Sequence, residues 1–267
     1  MLMRKRHRKQ LLQQPFPSHW DDIIATSVPY AGLLNEAEQR KLRETITILI
    51  DEKYWEGCGG LEINEHIQVV IASQAAILLL AYDGSDYFHN VRTLLIYPAA
   101  YVQSQERVGS DGLVHAGSAN LGEAWYNGPV VLSWQDAMEA STHPGRGRNV
   151  VFHEMAHTID MLTGSTNGTP MLRHRQDYAK WHQVMSTAFT ELQERWARGV
   201  QDPIRPYALT NVAEFFAVTT ECFFDAPMAL QNAHPAVYQE FVRFWGQDPA
   251  ARAWPVESGR TRASKRA

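Results

Sequence analysis

Apolar residues recur along this chain at two spacings, and the change from one to the other divides it into three parts. From Asn35 to Ile50 (NEAEQRKLRETITILI) they return every three or four positions, the mark of an amphipathic helix. Asn35 supplies an N-cap, and Glu38 three positions on completes a capping-box signal. The Cys58-Gly59-Gly60 sequence breaks the pattern. Beyond it, Ile67 to Leu80 reads as a buried helix, because Ala72, Ala75 and Ala76 sit among Val, Ile and Leu.

Strand signals then take over. Leu94 to Tyr97 (LLIY) stops at Pro98, and Asn127-Gly128-Pro129 turns into Val130 to Trp134 (VVLSW), a β-rich run. Between them lies a loop of Gly and small residues, Gly109 to Gly122. His143-Pro144-Gly145 breaks the chain again, and the remainder is helical. Asn149 to Leu162 stops between Gly164 and Gly168 (GSTNG). Asp177 to Arg198 follows, then Asn211 to Phe224, closed by Asp225-Ala226-Pro227, then Pro235 to Trp245. Residues 1–18 read as a mobile basic arm and residues 257–267 as a disordered tail, leaving one domain over residues 19–256. Helices, a strand-rich middle and helices again define an α+β class.

Composition narrows the possibilities. The 267 residues suffice for a full hydrophobic core, and 45% hydrophobic with 20% charged content is ordinary for a globular protein. A net charge of −4 gives no electrostatic reason to expect nucleic-acid binding. The basic N-terminus lacks an apolar segment behind it, and the longest apolar run, Ile67 to Tyr82, is too short and interrupted to span a membrane. Two cysteines, Cys58 and Cys222, rule out a disulfide framework and fit a reducing compartment, so a cytoplasmic protein is expected.

Chemistry concentrates in HEMAH, residues 153–157. His153 and His157 stand four apart, so a helix puts both imidazoles on one face, close enough to grip one ion. Glu154 points beside that ion, where a carboxylate takes a proton from an activated water. The pattern alone arises by chance in on the order of a few chains per hundred. A catalytic zinc site also needs a third protein ligand. The metzincin arrangement would place Gly at 160 and His at 163, where this chain has Asp160 and Thr163. The third ligand must therefore come from a later element. Glu214 and Glu221 lie seven apart on the Asn211–Phe224 helix, among phenylalanines, where an unpaired carboxylate is costly. Either can serve, and spacing does not choose. Asp160 has two open readings: it orients a ligand imidazole, or it only eases the helix end or faces solvent.

HEMAHTID followed by AEFFAVTTECFFDAP resembles the Mlc titration factor A family of zinc metallopeptidases, whose catalytic core is similar to that of anthrax lethal factor. The GPVVLSW strand and VHAG loop add to the resemblance, which covers roughly residues 90–250. It implies a zincin-like domain with a small mixed sheet, an HExxH helix and a helical C-terminal half. It also implies one Zn2+ held by His153, His157 and Glu214, with Glu154 as catalytic base. Glu221 becomes a supporting residue. Tyr207, seven before Glu214, becomes a donor to the developing oxyanion. His115 in the VHAG loop has two readings: a solvent-facing loop residue, or an imidazole on the fourth coordination position that closes a resting state. The activity so implied is hydrolysis of peptide or protein substrates, of aminopeptidase type. The partner so implied is an Mlc-like transcriptional repressor controlling the glucose phosphotransferase system. A non-catalytic protein that sequesters such a repressor is the alternative.

Overall fold

The computed structural model describes residues 2–81, 88–99 and 128–252. The elements run α1 (Leu2–Leu11), α2 (Ser18–Ser27), α3 (Glu36–Glu52), β1 (Tyr54–Gly57), α4 (Glu65–Leu78), β2 (Thr93–Tyr97), β3 (Val130–Ser133), α5 (Trp134–Thr142) and α6 (Val150–Asp160). They continue with α7 (Asp177–Ala197), α8 (Val212–Asp225), α9 (Pro227–Ala233) and α10 (Pro235–Trp245). The α+β class holds. No helix among the described residues is long and apolar enough to cross a membrane.

Local chemistry accounts for the boundaries. Asn35 accepts from the Glu38 N–H at 3.0 Å while the Glu38 carboxylate accepts from the Asn35 N–H at 3.0 Å, so the expected capping box starts α3. Gly164 ends the motif helix in the left-handed conformation that glycine adopts without strain. Pro227 and Pro235 each open a helix at its first position, where a missing N–H costs nothing.

Two expectations need correction. The sheet is not mixed among the described residues: β1, β2 and β3 lie in that order and every pairing is parallel, with Trp55 opposite Leu94 and Ile96 opposite Leu132. For β1 and β2 the reason is α4, which carries the chain from the end of β1 back to the start of β2, and such a crossover makes neighbours parallel. The basic arm is instead a helix over Leu2–Leu11, pinned to the end of α3. Arg4 and Arg8 pair with Glu52 at 2.6 Å each, and His7 meets Asp51 at 2.6 Å. The 257–267 tail and the Gly109–Gly122 loop lie outside the described residues.

The core is built on helices that are apolar all round. α4 buries Ile67, Val69–Gln74 and Ala75–Leu78, and α8 buries nearly every residue from Ala213 to Asp225. Such helices belong inside a protein. α6 packs between them and also meets β3. Leu94, Ile96, Val130 and Leu132 turn the buried face of the sheet toward this layer. The aromatic rings of Phe216, Phe223, Phe241 and Trp245 close the far side of α8 against α10.

Candidate metal centre

Asn149 starts α6 by accepting the Phe152 N–H on its side-chain oxygen at 2.9 Å. It is itself tied to both buried helices. Its amide group donates to Gln74 Oε1 on α4 at 2.8 Å, and its backbone N–H donates to Glu221 Oε2 on α8 at 2.6 Å. The start of the motif helix is thereby fixed in position before either histidine is placed.

From α6 the two histidines project one turn apart, with their Nε2 atoms 3.2 Å from each other. Glu214, in the first turn of α8, faces both. Its Oε2 lies 3.1 Å from His153 Nε2 and its Oε1 3.4 Å from His157 Nε2. These three residues form a group able to hold a metal ion, their donor atoms all within 4.8 Å of one another.

The residues fit a cation on two independent observations. Glu214 Oε2 is buried and makes no well-formed hydrogen bond although His153 Nε2 lies 3.1 Å away, an arrangement that suits a cation shared between the two. His153 turns its other nitrogen, Nδ1, to Glu221 Oε1 at 2.8 Å, which directs Nε2 into the site. The electrostatics agree. Burial opposes a charge on His153, yet Glu214 and Glu221 raise its pKa to about 10. Burial also opposes the Glu214 charge, yet His153 and His157 hold that carboxyl well below its usual range. The pocket stabilises a positive charge between the two carboxylates. A metal ion carries charge of that sign.

Glu154 follows His153, about 100° further round the helix, and is not among the three. Burial lifts its pKa above the usual carboxylate range, with the His153 and His157 charges pulling the other way. Tyr207 sits in a single 3-10 turn, Pro206–Leu209, that packs on α8, and its ring centre lies 6.0 Å from that of His153. His115 lies outside the described residues.

Asp160 takes the helix-end reading. It is fully buried, and its Oδ2 accepts the Gly168 N–H at 2.8 Å, while burial raises its pKa. Gly168 has φ +69°, and a Cβ there would come 2.2 Å from the Val212 carbonyl oxygen. Asp160 thus fastens the loop after α6 against the start of α8, where Glu214 sits.

Sequence reasoning missed Arg205, whose Nη2 donates to Glu221 Oε1 at 2.7 Å, and the Gln74–Asn149 tie. A signal for the first existed: Glu221 sits in a stretch flanked by phenylalanines and fully buried, where a carboxylate calls for a charged partner. The second leaves no trace in spacing, since a lone glutamine in a buried helix has many possible partners.

A helix with HEMAH whose histidines converge with a glutamate from a second buried helix makes a group able to hold a metal ion, as a metallopeptidase requires. The chain belongs to the M90 family of glucose-regulated metallopeptidases, whose profile matches residues 2–246. It is 36% identical over 239 residues to Mlc titration factor A of Yersinia pestis, covering 88% of this chain and 86% of that one. The same figures hold for Mlc titration factor A of Yersinia pseudotuberculosis. It is 33% identical over 244 residues to an uncharacterized protein of Synechocystis, covering 90% of this chain and 88% of the relative.

Proposed function

We propose that this chain is a zinc-dependent peptidase with a zincin-like domain and one ion held by His153, His157 and Glu214. The observation that carries the reading is the convergence of the Glu214 carboxylate on two imidazole nitrogens, Oε2 toward His153 and Oε1 toward His157, with Oε2 buried and without a well-formed hydrogen bond. Two imidazoles and one carboxylate are a donor set that suits zinc and leaves a coordination position open.

When bound, the ion supplies Lewis-acid chemistry, acidifying a water and polarising the scissile carbonyl. Glu154 accepts the water's proton and delivers it to the leaving amine, and a carboxyl lifted above its usual range is suited to both tasks. Tyr207 donates its hydroxyl to the carbonyl oxygen as negative charge builds there. Glu221 holds His153 by Nδ1, so the imidazole keeps one orientation throughout.

The finer assignments are ours as well: aminopeptidase-type cleavage, a cytoplasmic setting and an Mlc-like repressor as partner. The last follows from the name of the Yersinia relatives, and it also supports a second reading in which repressor binding needs no hydrolysis. One substitution separates them. Glu154→Gln leaves the three ligands intact, so metal content by elemental analysis stays at one per chain while hydrolysis of aminoacyl reporters and quenched peptides falls by about 10²- to 10⁴-fold. Full hydrolysis in that variant removes Glu154 as the base. Retained repressor binding in the same variant shows that binding is independent of catalysis.

A further inference from the structure

Glu221 Oε1 receives two hydrogen bonds from opposite directions. His153 Nδ1 approaches at 2.8 Å from α6, and Arg205 Nη2 at 2.7 Å from the chain leading into α8. The Glu221 side chain is 1% exposed and that of Arg205 is 23% exposed. Its other oxygen takes the Asn149 N–H. Arg205 Nε is buried and makes no hydrogen bond, so the guanidinium is oriented by Glu221.

The backbone on either side of Arg205 is fixed. Ile204 donates its N–H to Asp202 at 2.9 Å and accepts from Trp196 Nε1 at 3.2 Å. Asp202, its side chain fully buried, is held by Arg195 at 2.6 Å and His234 at 3.0 Å. On the other side the Ala208 N–H donates to the Arg205 carbonyl at 3.0 Å, closing the turn that carries Tyr207. Arg205 is thus rigidly mounted two residues before Tyr207, and its charge ends on the carboxylate that orients His153.

We propose that Arg205 is a positioning residue that yokes the Tyr207 turn to the His153 ligand through the Glu221 carboxylate. It does two things at once. It adds a permanently charged donor to a buried carboxylate whose other partners are the His153 imidazole and the Asn149 N–H, and it ties the two halves of the site together. A planar, permanently charged head on a long stem, here donating through Nη2 alone, suits both tasks better than a strongly hydrated ammonium. The inference rests on the peptidase reading for its consequence but not for its geometry.

The test uses the full chain with zinc as probe, in Arg205→Met, Arg205→Lys, Glu221→Gln and the Arg205→Met/Glu221→Gln double variant. Methionine keeps the stem's packing and removes the charge. Chelator competition should show Arg205→Met binding zinc about 10- to 100-fold more weakly, the scale for outer partners of metal ligands. Arg205→Lys should recover part of that loss, and kcat should fall in Arg205→Met with KM nearly unchanged. The double variant should bind zinc no more weakly than the weaker single variant. Zinc affinity in Arg205→Met within twofold of the unmodified chain, or losses that multiply in the double variant, overturns the proposal. Urea unfolding of the metal-free proteins runs the same cycle without any ion: coupled losses support the yoke, and independent losses reject it. An unmodified chain that binds no zinc but shows that coupling would defeat the peptidase reading alone.

Discussion

The two ends of α8 carry carboxylates of opposite character. At its start, Glu214 faces two histidines and leaves one buried oxygen without a well-formed hydrogen bond. Two turns later, Glu221 is saturated, with His153, Arg205 and the Asn149 N–H around it. One turn further, Asp225 accepts the N–H groups of Gly147 and Arg148 at 2.6 and 3.2 Å. All three sit on one buried helix, yet only the first has capacity left for something absent from the protein chain. Among the α8 carboxylates, satisfaction of hydrogen bonds, more than burial or spacing, separates the proposed ligand from its scaffold.

That contrast predicts opposite rankings for one conservative substitution. Glu214→Gln should lower zinc affinity by more than the ~100-fold expected at an outer position, and hydrolysis should vanish with it. Glu221→Gln should weaken zinc less but destabilise the metal-free protein more, by about 2–4 kcal/mol, because it strands Arg205 beside a neutral amide. Chelator competition and urea unfolding of both variants give the four numbers. If Glu221→Gln loses zinc as completely as Glu214→Gln, the two ends of α8 do not differ as described.

The same contrast explains which parts of the molecule could be read from sequence. α6 and α8 are legible because each opens on a capping asparagine and carries apolar residues through its length, and their histidines and glutamates fall at fixed helical offsets. Choosing Glu214 over Glu221 needed a family resemblance, since both share one face and their difference lies in partners from other elements. Arg205 stayed hidden for that reason. β1 was missed because four residues alternating between exposed and half-buried give little signal. With β1 unseen, the crossover through α4 was unseen too, and the parallel sheet was expected to be mixed. The N-terminal helix was read as an arm because its basic side chains find their acids on α3, more than forty residues away.

Asp225 sharpens the comparison through pH. Burial lifts its pKa to about 6 even though backbone N–H groups of the Gly145–Arg148 segment act to lower it, and among the described residues no ion pair to it accompanies them as Arg205 accompanies Glu221. A carboxyl whose folded value lies above its unfolded value of about 4 binds its proton more tightly in the native state. Stability from this group is therefore fully present below pH ~4 and declines as pH rises through about 6, by about 2–3 kcal/mol. Asp225→Asn should abolish that part of the slope. The difference between the two unfolding profiles from pH 4 to 7 isolates it, and parallel profiles would remove Asp225 from the account.

The smallest effect belongs to a carboxylate outside α8. Glu194 on α7 pairs with Arg198 at 3.4 Å, with both side chains about two-thirds exposed. In water such a pair gains little Coulomb energy and must hold two long side chains in one geometry. Alanine is also the better helix former at that position. Glu194→Ala should therefore shift the unfolding free energy by less than about 0.5 kcal/mol and leave zinc affinity unchanged. A loss above about 1 kcal/mol would mean that an exposed ion pair on α7 approaches the worth of a buried one on α8, and desolvation would no longer explain why the α8 carboxylates matter.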